Sequence, residues 1–374
     1  MLLLANYSQG LAIDFRSNTV AVKDTTTPAN NRRNVAVAPW LTTTRSTVAW
    51  YFDANGLLQS AGVNVIRLTH DPITLARLGI LAEANRSNKV LWCRDLTNAV
   101  WAAVSVTPLK NQIGLDGVAN SASSITATGA GGTILQAITA GSAACYQSVF
   151  VKRLVGAGTL EMTQDNGTTW TVITPSGSGW NIKEIAVQTL TNPTVGFRIG
   201  TSGDSFAIDL VQNENGSVRS SPILTTTALV TRGLDLHTVL LSAFPFSATI
   251  GTIYVEGISY GLNSQQRIWF QIDNTTNNER FLGSQSSLGG GQFQIVDGAA
   301  TVANVLPGAA VVGQLQRFMA TWAANRAQAS LDGVLGTEDT SVTLPIVTTM
   351  NVGAGLSGTN PFQGTIGQFV YVPQ

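Results

Sequence analysis

Short apolar segments alternate with polar positions along most of this chain. In residues 11–15 (Leu-Ala-Ile-Asp-Phe) and 19–22 (Thr-Val-Ala-Val) every second side chain is apolar. That period of two puts one face of a strand in a core and the other toward solvent. Between 45 and 58 two strands are expected, joined at Asp53-Ala54-Asn55-Gly56, because Asn-Gly supplies the positive φ a hairpin needs. Segments 122–127, 145–153, 158–163, 170–173, 182–187, 195–200 and 206–211 recur with turn residues between them, the spacing of a β-sandwich. A second series follows at 246–257, 266–273, 292–296, 316–324, 328–334, 350–354 and 366–371. Residues 211–235 carry neither period and are rich in turn formers, among them Asn213, Asn215, Gly216, Ser220, Ser221 and Pro222. The pattern predicts an all-β chain: a small irregular N-terminal β module (1–90), a jelly-roll sandwich (91–212), a linker (213–225) and a second antiparallel sandwich (226–374).

Composition narrows this further. A chain of 374 residues is long enough for two or three cores. Gly, Thr, Ser, Asn and Val are abundant while Glu and Lys are scarce, as in turn-rich β proteins. Charged residues make up 11% and the formal net charge is zero, with no basic cluster for nucleic acid. The pair Arg32-Arg33 reads as a surface-loop feature. No run reaches the length of a membrane span, and the apolar start at residues 1–6 reads as a first strand or anchoring segment. Cys93 and Cys145 read as two buried thiols.

Catalytic groups are few. The two histidines, His70 and His237, fall in different units. His70-Asp71 has no nucleophile placed beside it, and Glu83 with Arg86 reads as a structural ion pair. Zinc chemistry lacks a ligand cluster. Glu256, Glu279, Glu338 and Asp339 are too scattered to read as the paired carboxylates of a glycosidase.

Several motifs resemble known families. Gln212, Glu214, Gly216, Ser220, Pro222, Thr226, Thr231, Arg232 and Asp235 match a junction of bacteriophage virion proteins, where a jelly roll closes before the next module. Tyr51, Phe52, Asp53, Gly56, Arg67, Asp71, Pro72, Thr74, Gly79, Glu83, Arg86 and Asn88 resemble a small module of phage tail and head fibres, departing from it at Lys89-Val-Leu-Trp92. Asp95 and Trp101 in residues 92–101 resemble the opening of carbohydrate-binding-like jelly rolls, with Cys93 where those carry Ser. Ala320, Trp322, Leu331, Asp332, Gly333, Asn351, Val352, Gly353, Phe362, Gly364, Ile366, Gly367 and Tyr371 resemble the end of a concanavalin A-like (laminin-G-like) sandwich. There Asp332-Gly333 makes a hairpin turn, and Gly364 and Gly367 flank a last strand that closes the sheet edge.

These resemblances imply a virion fibre or spike protein that attaches to a particle and binds host surface polysaccharide without catalysis. Its other partners would be virion proteins and copies of itself, most simply as a trimer, with no nucleic acid and no membrane insertion. A purely structural head-decoration or tail/baseplate subunit is the alternative, and a polysaccharide depolymerase a second one. Sugars pack on aromatic faces and are fixed by amides and acids. The expected glycan-binding residues are therefore Trp170 and Trp180, near turns of the jelly roll, and Asp273, Asn274, Asn277, Asn278 and Arg280 in a polar hairpin. Trp101 reads as core. No cofactor is expected; Ca²⁺ at the 273–280 hairpin is the one ion its oxygens suggest.

Overall fold

The computed structural model describes residues 9–24, 32–37, 40–261, 265–287 and 289–373. Among them the regular structure is antiparallel strand, with 3-10 turns at Leu241–Ala243 and Leu356–Gly358 and no α-helix. The expected all-β class is what forms. The apolar start at residues 1–6 lies outside the described residues.

The jelly roll packs two five-stranded sheets. One orders Ala102–Val104, Gly132–Ala137, Thr194–Ile199, Leu160–Thr163 and Thr171–Val172; the other orders Val106–Gln112, Ala122–Ala127, Ser205–Asn215, Ala143–Val155 and Asn181–Leu190. Period-two alternation sends Val195, Phe197 and Ile199 of one sheet, and Val149, Val151 and Ile208 of the other, into a shared core with Trp101. Trp101 stacks on Phe197 at 6.4 Å between ring centres. Phe150, between Val149 and Val151, faces away from that core, and a bulge at Leu210 (φ +53°) turns its side chain the same way. They meet Phe52 and Leu58 of the hairpin Ala49–Phe52/Leu58–Ala61, so the second sheet is covered on both faces. That double cover explains why Ser205–Asn215 is buried along nearly its whole length.

The C-terminal sandwich pairs a ten-stranded with a seven-stranded sheet. The main path of the larger runs Val334–Leu335, Arg326–Leu331, Leu315–Ala323, Ile250–Ser259, Gly364–Val372, Gln9–Asp14, Thr19–Asp24, Arg32–Val35. Arg77–Ala82 also joins it through Gly364–Val372, and carries Leu68–His70 on its other side. The smaller sheet runs Ala300–Val305, Gly291–Asp297, Arg280–Gln285, Arg267–Asp273, Thr349–Val352, Leu236–Leu240, Thr42–Thr44. Between them lies an aromatic core in which Trp269, Phe270, Phe318, Phe362 and Tyr371 are fully buried and Trp322 is 1% exposed.

Four expectations change. First, apart from the hairpin Ala49–Phe52/Leu58–Ala61, most strands of residues 1–90 join the sheets of the C-terminal sandwich: Ile13 pairs with Phe369, Leu81 with Thr365 and Thr43 with His237. Leu11, Ile13, Phe15, Val20 and Val22 complete the C-terminal core, apolar surface that a 90-residue module would have to cover alone. Second, Gly364–Val372 is no edge strand, because Gln9–Asp14 and Ile250–Ser259 flank it. Third, the linker expected at 213–225 starts later, since Ser205–Asn215 continues to Asn215. It is also no solvated tether: Ser220, Ser221, Ile223 and Thr225 are each at most 6% exposed. Fourth, Arg32 and Arg33 begin a strand rather than lie in a loop.

Candidate functional site

The motif residues converge on a buried charge network, where hairpin, jelly roll and C-terminal sandwich meet. Asp235 accepts from Arg45 through Oδ1 (2.9 Å) and from Arg67 through Oδ2 (2.5 Å). Glu83 accepts from Arg67 (2.7 Å), Arg232 and the Ser221 hydroxyl (2.6 Å). Arg232 also donates to the Ala84 carbonyl, and Ser221 N–H to Glu83 Oε1 (2.6 Å). None of the five charged side chains is more than 1% exposed. Burial acts to raise both carboxyls, but the arginines outweigh it and hold Glu83 and Asp235 below the usual carboxylate range. Glu83 therefore does not pair with Arg86, as the sequence suggested. The Arg86 guanidinium instead lies against Gly216, where any side chain would strike it, and faces Glu214. Every acceptor here is spent on a protein donor, so the network is structural.

Each expected sugar platform already has a neighbour over its ring. The Arg198 guanidinium sits 4.6 Å from the centre of the Trp170 ring. Arg198, between the inward Phe197 and Ile199, places that pair on the outer face of the first jelly-roll sheet. Trp180 packs against the Phe52, Phe150 and Leu210 cluster outside the second sheet, with the Lys152 ammonium 5.2 Å from its ring centre. The two indoles therefore sit on opposite faces of the sandwich and form no joint site.

The polar hairpin is closed on itself. Asp273 is fully buried; its Oδ1 accepts from Thr275 N–H (2.8 Å) and its Oδ2 from the Gln271 amide (3.0 Å). Asn277 Oδ1 accepts from Gln271 (3.1 Å) and Arg280 (3.0 Å), and Asn274 Oδ1 from the Thr276 hydroxyl (2.7 Å). Arg280 also donates to Gln294 (2.7 Å), and the Asn278 carbonyl accepts from Ala299 N–H. Ca²⁺ needs six to eight free oxygens. Here the side-chain oxygens of Asp273, Asn274 and Asn277 already accept from protein donors and a guanidinium stands among them, so this hairpin does not fit the ion. Among the described residues no group of three or more His, Cys, Asp or Glu side chains could hold a metal.

The cleft with the strongest binding chemistry was not singled out from the sequence. It measures about 240 Å³ and lies between the turn at 92–101 that opens the jelly roll and the strap, residues 216–235, that follows the jelly roll; it is lined by Trp92, Arg94, Asp95, Lys110, Thr226 and Val230 among others. Trp92 holds φ +49°, and its backbone is pinned by Thr226 O (3.0 Å from Trp92 N), Asp95 N–H and the Trp101 indole N–H. A bulky residue in the left-handed region is strained, a feature found more often at functional sites. Arg94 is fixed beneath by two bonds to the buried Asp209 (2.7 and 3.0 Å) and one to Asp116 (2.6 Å). Lys110 meets Asp95 at 3.1 Å on the rim. Burial acts to raise the Asp95 carboxyl, but hydrogen bonds from Thr97 and Lys110 outweigh it and hold it below its ordinary range. An indole, a carboxylate, an ammonium and hydroxyls thus converge on one half-open space. The sequence signal was the break at Lys89-Val-Leu-Trp92, where the likeness to fibre modules fails; a positive φ at tryptophan has no sequence signature.

No protein-family model matches the chain, and no curated protein matches it. Among solved structures it is similar to the CBM40 module of the Ruminococcus gnavus IT-sialidase bound to α2,6-sialyllactose, at 16% identity over 34% of this chain and 78% of that one, with a TM-score of 0.30. It is also similar to domains LG4-5 of the mouse laminin α1 chain (9% identity, 65% and 84% covered, TM-score 0.27). A third is the CBM22-1-CBM22-2 tandem of Paenibacillus barcinonensis Xyn10C (11% identity, 78% and 97% covered, TM-score 0.24).

Proposed function

We propose that this chain is a glycan-binding structural protein of a phage or phage-like particle, acting by adhesion rather than catalysis, and that the Trp92 cleft holds the sugar. The cleft carries this reading: an indole for the apolar face of a ring, with Asp95, Lys110 and Thr226 to fix its hydroxyls. One such cleft binds weakly, so avidity from several copies, most simply a trimer, supplies the strength. The particle assignment rests on the junction and fibre-module motifs. Trp170, Trp180 and the 273–280 hairpin are separate positions to be tested beside the cleft.

The test is binding of the labelled full chain to candidate host cells before and after their surface polysaccharide is stripped. Adhesion predicts binding that vanishes with the glycan and falls at least about tenfold in Trp92→Ala, a loss of roughly 1.4 kcal/mol. A folded chain that binds in neither state points to a head-decoration or tail/baseplate subunit. Release of reducing ends from the polysaccharide would make it a depolymerase.

A further inference from the structure

His70 is half-buried, and both its ring nitrogens are shut off from solvent without a hydrogen-bond partner. A neutral imidazole carries one donor and one acceptor, and a protonated one two donors, so an empty-handed ring calls for an explanation. His70 lines a separate cleft of about 180 Å³, outside the Trp92 site, where Leu68–His70 and Arg77–Ala82 reach the N-terminal strand pair. The same wall carries Phe15, Arg16, Asn18, Leu68 and Arg77, and no carboxylate.

The donors there are unevenly spent. Arg16 is neutralised by Glu256. Arg77 lies directly across from His70 in the strand pairing. Its guanidinium donates to the Arg16 carbonyl at 2.7 Å and makes no ion pair among the described residues. Asn18 uses its amide oxygen to accept from Val37 N–H at 3.3 Å, which leaves its NH₂ as a donor. Asp71, next to His70, directs Oδ1 to the backbone N–H groups of Ile73 (2.9 Å) and Thr74 (2.7 Å). Donors thus exceed acceptors around a cleft with an apolar floor.

We propose that this cleft is a second binding site, for an oxyanion, a carboxylate or a phosphate, carried on a small organic group. Arg77 and the Asn18 NH₂ donate to the anion's oxygens beside the His70 ring, and Phe15 and Leu68 receive the apolar part of the ligand. Guanidinium–oxyanion bonds are charge-assisted and roughly twice as strong as neutral ones.

The two histidines make the site directly observable. His237 is fully buried with both nitrogens engaged, by Thr43 Oγ1 (3.0 Å) and the Leu81 carbonyl (2.8 Å). The Cε1–H resonances of the full chain should therefore contain one reporter and one internal control. Titration with glucuronate or with inorganic phosphate, at constant ionic strength, is expected to move the His70 signal saturably and leave His237 in place. Arg77→Gln, at an exposed position, should weaken that binding about tenfold, the loss of one charge-assisted contact. Response to glucuronate alone identifies a carboxylate ligand, and response to phosphate alone a phosphate ligand; either supports the site. It is overturned if neither anion moves His70 saturably, if glucose moves it equally well, or if Arg77→Gln binds as tightly as the parent.

Discussion

Arg67 donates to Asp235 at 2.5 Å across 168 residues of sequence, with neither side chain reaching solvent. Asp235 also holds Arg45, and Arg67 also holds Glu83, so this one pair ties the hairpin region to the strap and the C-terminal sandwich. Removing one partner of such a network leaves an uncompensated buried charge. Asp235→Ala is expected to lower stability by about 3–5 kcal/mol, read by urea unfolding followed through tryptophan fluorescence. Glu83→Ala should cost a similar amount, and the double variant less than the sum, because both act on Arg67.

The same carboxylates set an acid limit. Asp235 is held below its ordinary value in the folded chain, burial being outweighed by Arg67 and Arg232. Its ionised form therefore contributes stability that is complete above the unfolded value near ~3.9 and is lost as pH falls through the lowered folded value. The stability gap between the parent and Asp235→Asn is expected to be full at neutral pH and to close below about pH 4. Glu214 runs the other way, raised by burial, so its ionised form opposes folding. Glu214→Gln should accordingly cost less at pH 7 than Asp235→Asn. A gap that stays constant down to pH 2 would sink this assignment.

Much of this was legible in residue types. The segments read in both sandwiches form strands, though Gly132–Ala137, Arg280–Gln285 and Ala300–Val305 were not among them, and Asp332-Gly333 turns where it should, both residues holding positive φ. The motif residues Arg67, Glu83, Ser221, Arg232 and Asp235 were visible too, but not that they share one buried network. Pairing across 150 residues leaves no local pattern, and Glu83 has Arg86 three positions away as the obvious but wrong partner. Residues 11–15 read as a strand, and Gln9–Asp14 forms one; that it lies beside Gly364–Val372 is a matter of topology. The expected sugar platforms show the same limit, since aromatic residues near turns can be named from sequence while what covers their rings cannot.

Gly79 tests the insertion of the N-terminal region into the large sheet. It holds φ +111°, and a Cβ there would lie 2.0 Å from the Ile366 carbonyl oxygen, which is backbone and cannot swing aside. Gly79→Ala is expected to cost more than about 2 kcal/mol, from strain and the forced separation of the strands. Gly131→Ala, at φ +71° with open space around it, should carry only the conformational term, about 1 kcal/mol. Hydrogen exchange provides a second reading: Gly79→Ala should accelerate the amides of residues 80–82 and 364–366, which pair with each other.

Trp180 and Trp170 separate packing from recognition. Trp180 leans on Phe52, Phe150 and Leu210, so it fastens the hairpin to the jelly roll. Full removal of a buried tryptophan costs about 3–5 kcal/mol; for this half-buried ring Trp180→Ala is expected to cost about 2 kcal/mol, with the hairpin amides exchanging faster. Trp170 lies at a sheet edge under Arg198, which Glu161 also holds at 2.5 Å. A cation over a partly exposed ring contributes only about 0.5–1 kcal/mol, so Trp170→Ala should lower the unfolding midpoint less than Trp180→Ala. If Trp170→Ala nevertheless abolishes cell binding while Trp92→Ala does not, the sugar sits on the outer sheet and the Trp92 cleft is not the glycan site. Binding lost only in Trp92→Ala places the sugar between the opening turn and the strap, and leaves both of the other indoles a structural role.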